Sequence, residues 1–251
     1  MRTCRFRRAG REHYGVVEGS SVRALTAEPW AGGLAEGPSY ALSEVSLIAP
    51  VVPSKVVCVG RNYRAHAQEL GNVVPKEPLI FIKPSTSVIG PDAAIHVPEV
   101  SKEVHHEAEL AAVMGRTLTR AATAVEAKAA VFGWTCLNDV TARDIQRAEA
   151  HFTRAKGFDT FCPLGPVVET ELDPMDVTVT CRMNGEQRQR GSTRDMVFDA
   201  YLLIAFVSQV MTLLPGDVVS TGTPEGVGAF RRGDWVEVEV SGIGVLKNPV
   251  A

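Results

Sequence analysis

Residues 104–110 read VHHEAEL and run directly into AAVMG at 111–115. The apolar residues around Glu107 and Glu109 predict a strand, in which successive side chains alternate between the two faces. Glu107 and Glu109 then share one face with His105, while His106 and Leu110 lie opposite. Two carboxylates this close repel unless a cation sits between them or one takes up a proton. A solvated strand end would relieve the repulsion equally well, because carboxylates are mostly exposed. Two readings therefore stand at this point: a wet strand end, or a strand that carries a cation site into the core.

A third carboxylate shifts the balance. In CLNDVTARDIQ (136–146), Asp139 ends an apolar strand and precedes a helix, a junction where functional residues concentrate. Arg143 and Gln146 fall four and seven residues on, along one helical face. Thr141 and Asp144 fit a helix capping box, which makes Asp144 structural. A set of three carboxylates with no cysteine suits a hard cation, Mg²⁺ first and then Mn²⁺ or Ca²⁺. In NYRAHAQEL (62–70), His66 and Glu69 are helical neighbours. A carboxylate beside a histidine fixes its orientation and raises its basicity, one way to build a general base; a solvated helix carries the same spacing. TGTPEGVG (221–228) lacks the Gly-Lys-Ser/Thr ending of a phosphate loop. Its backbone amides can still approach a small carboxylate, with a hydroxyl from Thr223.

Around these residues the chain alternates short strands with glycine and proline punctuation. KVVCVG (55–60) and PLIFIKP (78–84) read as strands, the second broken at Lys83-Pro84, and AATAVEAKAAVFG (121–133) as an alanine-rich helix. VTVTCRMNGEQRQRG (177–191) predicts a type I′ hairpin on Asn184-Gly185. AYLLIAFVSQVMTLL (200–214) reads as a buried helix too short to span a bilayer, and WVEVEV (235–240) puts Val236, Val238 and Val240 on one face. The pattern predicts an α+β, mostly β architecture. A small unit at residues 1–50 is set off by the proline-flanked APVVPSK (49–55) from a larger unit at residues 51–251. The 251 residues carry a net charge of −3, which argues against nucleic acid as the main partner. Five cysteines without a Cys-x-x-Cys pair, and no apolar leader at the start, point to a reducing, cytoplasmic setting.

Seven stretches in fixed order, CVGRNYRAHAQE, PLIFIKPSTSVIG, HHEAELAAVMG, NDVTARDIQ, AKGFDTFCPLGP, MNGE and GTPEGVG, resemble the fumarylacetoacetate hydrolase family over residues 51–250. The first fifty residues are similar to the small variable domain many members carry. The resemblance implies a rolled mixed β-sandwich catalytic domain and a homodimer. It implies a metal triad at Glu107, Glu109 and Asp139, holding Mg²⁺ or else Mn²⁺ or Ca²⁺, with His105 and His106 not ligands. It further implies a His66–Glu69 catalytic dyad, an active-site lysine at Lys156, and substrate contacts from Arg143, Gln146 and Thr223; the polar stretch at 147–157 before Lys156 reads as a lid. The implied substrate is a small 2-oxo acid that reacts through an enolate stabilised by the ion. Hydrolytic C–C cleavage of an acylpyruvate, or decarboxylation of oxaloacetate, leads. Tautomerisation of 2-hydroxyhepta-2,4-diene-1,7-dioate in aromatic-compound catabolism is the alternative, and a metal-dependent 2-oxo acid binding protein the non-enzymatic one.

Overall fold

The computed structural model describes residues 1–251. In chain order its elements begin with β1 (Arg2–Arg8), β2 (Arg11–Glu18), β3 (Ser21–Ala24), β4 (Ser39–Ala41) and β5 (Ser46–Ile48). There follow β6 (Val56–Gly60), α1 (Arg64–Glu69), β7 (Leu79–Lys83), β8 (Val88–Ile89), β9 (Val104–His106), β10 (Ala108–Met114), α2 (Ala124–Ala130) and β11 (Val131–Asn138). The remainder is β12 (Thr141–Ala142), α3 (Arg143–Ala148), α4 (Thr153–Lys156), β13 (Cys162–Glu169), β14 (Thr178–Met183), β15 (Glu186–Ser192), α5 (Ala200–Val210), β16 (Val218–Ser220), β17 (Gly228–Phe230), β18 (Trp235–Val240) and β19 (Gly244–Pro249). The class is α+β and mostly β. No helix is long and apolar enough to cross a membrane.

Three sheets make the body. The largest runs β4-β3-β2-β1-β13-β11-β10-β16-β6-β7, with β5 on β1 and β8 on β13; the others are β12-β9-β17 and β15-β14-β18-β19. The strands of the first fifty residues continue the large sheet through the antiparallel pairing of β1 with β13. Strand β10 is buried on both faces. Leu110, Ala112 and Met114 join a core shared with Val236, Val238 and Val240 of β18, whose alternation therefore does what the sequence predicts. Ala111 and Val113 join a second core with Cys58, Leu137 and Cys162. Glu109, in phase with Ala111, lies against this second core.

The hairpin turn has φ values of 52° at Asn184 and 85° at Gly185, both left-handed as a type I′ turn demands. Other local expectations need correction. The helix expected over 121–133 is confined to Ala124–Ala130, where Thr123 and Glu126 form the capping box, and Val131 already starts β11. The helix expected to 214 ends at Val210. The Thr141–Asp144 capping box does not form: Thr141 lies in β12 with its hydroxyl on the Asp139 carbonyl, and Ala142 precedes α3. Asp144 is structural by another route, accepting from the Ser101 hydroxyl and the Lys102 amide.

Candidate metal centre and its cavity

The strand predicted through VHHEAEL is two strands. It breaks at Glu107, between β9 and β10, and the chain passes there from the three-stranded sheet to the large one. The break is stapled: the Glu107 amide donates to the Asn138 side chain at 3.0 Å, and the Asp139 amide to the Glu107 carbonyl at 2.8 Å. It also scatters the neighbours. His105 faces Glu103, Nε2 to Oε1 2.9 Å, rather than sharing the glutamates' cluster. His106 is fully buried on Gln189, and burial pushes it down to about 4, so it stays neutral.

Glu107 and Glu109 are not at a wet strand end; they are 4% and 1% exposed, and Asp139 is 1% exposed. One carboxylate oxygen from each lies within 4.8 Å of the others. Three cations surround them. Lys156 Nζ donates to Glu107 at 2.8 Å and to Asp139 at 2.5 Å, Arg143 donates to Glu107, and Lys83 donates to Asp139 at 2.6 Å and to the Val140 carbonyl at 3.0 Å. Arg143 is 2% exposed and is paired with Glu107, not with Asp144 on its own helix.

Burial alone would raise Glu107, but the Lys156 and Arg143 charges outweigh it and hold the group below the usual carboxylate range. Burial would likewise lower Lys156, and Asp139 and Glu107 together raise it. Glu109 has no cationic partner. It accepts from the Ser220 hydroxyl and from the Gly222 amide at 2.9 Å, and burial, then the charges of Asp139 and Glu107, push it well above the usual range. A divalent cation among the three carboxylates would supply the charge that Glu109 lacks, and all donors are hard oxygens. The residues present thus fit such an ion.

Seven of the nine predicted site residues line one cavity of about 200 Å³; Glu69 and Asp139 do not line it but bond to its lining residues His66 and Lys156. His66 is 5% exposed, with Nδ1 3.3 Å from Glu69 Oε2, and Glu69 Oε1 accepts from the Gly226 amide at 2.9 Å. The glycine-rich loop does bind carboxylates through its amides, but they are the protein's own Glu109 and Glu69. No helix follows it; β17 does. The Thr223 hydroxyl donates to the Ala108 carbonyl at 2.9 Å and accepts from Gln189 at 2.8 Å. Its proton is committed, so toward a ligand it offers a lone pair. Gln146 accepts from Arg143 and holds that guanidinium from the far side.

Lys83, Ser220 and Gln189 escaped the sequence reading. Lys83 lies on the apolar strand β7 and is completely buried, and only its place before Pro84 sets it apart. Gln189 also receives the Ala108 amide and donates to the Pro224 carbonyl, tying the ligand strand to the glycine-rich loop.

The family model for "Fumarylacetoacetate (FAA) hydrolase C-terminal" matches residues 55–251, and one for "Rv2993c-like, N-terminal" matches residues 1–50. The human oxaloacetate tautomerase FAHD2A, mitochondrial, is 46% identical over 229 residues, covering 86% of this chain and 73% of that protein. A solved structure of 5-carboxymethyl-2-hydroxymuconate delta-isomerase from Mycobacterium smegmatis superposes with a TM-score of 0.94 at 44% identity, covering 100% and 99% of the two chains. One of 2-hydroxyhepta-2,4-diene-1,7-dioate isomerase from Mycobacterium marinum gives 0.93 at 40%, covering 100% and 98%. The seven stretches that carried the resemblance and the matches along the whole chain agree: this protein belongs to the fumarylacetoacetate hydrolase family.

Proposed function

We propose that the protein is a divalent-metal-dependent enzyme that forms and reprotonates the enolate of a small 2-oxo acid, with keto–enol tautomerisation as its core reaction. The observation that carries this reading is the convergence of a buried three-carboxylate cluster, four cationic side chains and His66 with its partner Glu69 at one cavity of about 200 Å³. That volume lies below the range of about 300–1,000 Å³ typical of drug-sized ligands, which favours a small acid. Glu107, Glu109 and Asp139 would hold the ion, Mg²⁺ before Mn²⁺ or Ca²⁺. When bound, the ion supplies a Lewis acid that draws electron density from the 2-oxo group.

The chain's own residues do the rest. His66, oriented by Glu69, would take a proton from the carbon beside the 2-oxo group and deliver it to the enolate oxygen, and run the same transfer in reverse. Arg143 and Lys156 offset the charge of the carboxylates around the ion, so that the acid's own carboxylate can approach. Gln146 fixes the Arg143 fork, and Thr223 presents its lone pair at the cavity wall. The tautomerase and isomerase names of the similar proteins support proton transfer over bond cleavage. A homodimer, the family's usual assembly, is part of this reading.

C–C hydrolysis of an acylpyruvate is the second reading, favoured by the same dyad, since an oriented histidine can activate water. Decarboxylation of oxaloacetate would share the enolate. Mg²⁺-supplemented assays of enol-oxaloacetate, 2-hydroxyhepta-2,4-diene-1,7-dioate, acetylpyruvate and fumarylpyruvate, run side by side, separate them. Loss of the enol absorbance without C–C cleavage is expected. Cleavage of an acylpyruvate with no tautomerisation would move the assignment to the hydrolase, and inactivity toward all four would overturn it.

A further inference from the structure

Four arginine and lysine side chains line the cavity: Arg61, Arg143, Arg147 and Lys156. Three are engaged by protein carboxylates, Arg143 and Lys156 on Glu107 and Arg147 on Glu103. Arg61 alone has no carboxylate partner. It follows directly on β6 and is half-buried. Its φ of 59° lies in the left-handed region that arginine rarely adopts. The next residue enforces this. Asn62 is fully buried, donates to the carbonyls of Phe198 at 3.0 Å and Thr221 at 2.8 Å, and accepts the Phe198 amide at 2.9 Å. A strained backbone held by its surroundings at a cavity wall is a common property of ligand sites.

The charges around the cavity point to the ligand's class. Glu107, Glu109 and Asp139 carry as many charges as Lys83, Lys156 and Arg143, although those cations reach only Asp139 and Glu107. Arg61 adds a further positive charge at the cavity wall, with no protein carboxylate on it. A bound divalent ion adds two more positive charges to that of Arg61. A 2-oxo monocarboxylate would offset one of these charges, and a dianion two.

We propose that Arg61 receives a second, distal carboxylate and makes the site selective for 2-oxo dicarboxylic acids. This rests on the proposed chemistry, in which the 2-oxo acid end lies at the ion. The guanidinium's planar fork suits a carboxylate, and a charge-assisted contact away from bulk water discriminates strongly.

The test compares oxaloacetate with pyruvate, which has the same 2-oxo acid end and no distal carboxylate, by calorimetric titration of the Mg²⁺-loaded protein. The wild type should bind oxaloacetate more tightly. Arg61→Gln should weaken oxaloacetate by roughly ten- to a hundredfold and leave pyruvate within about twofold, with Arg61→Lys keeping part of the preference. Arg61→Gly should lose the preference but melt no lower than the wild type, because glycine accepts the positive φ; this separates lost charge from lost fold. Equal weakening of both acids by Arg61→Gln, or of neither, overturns the assignment of Arg61. A wild-type protein that binds neither acid with Mg²⁺ overturns the proposed function itself, and Arg61's role with it.

Discussion

Replacing Lys83 by methionine tests whether the carboxylate cluster is held by buried charge. Lys83 is 0% exposed, and its ammonium spans Asp139 Oδ1 at 2.6 Å and the Val140 carbonyl at 3.0 Å. Methionine fills much of the stem's volume but leaves that carboxylate oxygen and that carbonyl without a donor. Removing one partner of a buried ion pair costs about 3–5 kcal/mol. Lys156 still holds the other Asp139 oxygen, so the lower end applies, about 3 kcal/mol. For a chain of this size each kcal/mol shifts Tm by about 2–4 °C, which gives a drop of about 6–12 °C. The assay is thermal unfolding of the wild type, Lys83→Met and Lys102→Met, the last at an exposed lysine, each with and without Mg²⁺. Mg²⁺ should narrow the gap for Lys83→Met, since it returns positive charge to Asp139. A Lys83→Met protein that melts within about 2 °C of the Lys102→Met control would refute the reasoning.

Two further outcomes follow from the same geometry. His66→Gln should abolish hydrolysis of any acylpyruvate and, if His66 carries the proton, reduce tautomerisation as well; steady-state kinetics on both substrate types distinguish a shared base from a purely hydrolytic one. Asp217 is fully buried and accepts from the Ser54 amide and hydroxyl and from the Lys55 ammonium. Burial alone would raise it, but these donors hold it below its ordinary 3.8. A depressed carboxylate contributes stability above its unfolded value and loses it as pH falls through the folded one. Asp217→Asn should therefore be less stable than the wild type at pH 7, and the difference should shrink below about pH 4. Denaturant titrations across pH 2–7 read this directly, and a constant difference would contradict it.

Much of the site was legible because the information is local. Alternation in VHHEAEL placed Glu107 and Glu109 together, and the strand-to-helix junction singled out Asp139. Asn184-Gly185 specified its turn through the left-handed backbone alone. The errors arose where tertiary pairing overrides local pattern. The break at Glu107 depends on Asn138, thirty-one residues away, so an ideal strand wrongly kept His105 beside the glutamates. The Thr141–Asp144 box failed because β12 pairs with β9 and commits Thr141 to a strand. Lys83 was invisible because its partner, Asp139, is fifty-six residues distant, and nothing in an apolar strand marks one lysine as a counter-ion. The loop at 221–228 had the right chemistry and the wrong ligand: its amides hold carboxylates, but those of Glu109 and Glu69.

The central claim is that Glu107, Glu109 and Asp139 form one divalent-cation site on which a 2-oxo acid is held. The most direct measurement is a Mn²⁺ titration followed by electron paramagnetic resonance, on the wild type and on Glu107→Ala, with oxalate added as a chelating mimic of the pyruvate enolate. The account predicts one Mn²⁺ per chain in the wild type, a spectrum that changes when oxalate binds, and no such site in Glu107→Ala that is otherwise folded. Undiminished Mn²⁺ binding in Glu107→Ala, or a wild-type spectrum indifferent to oxalate, would contradict it.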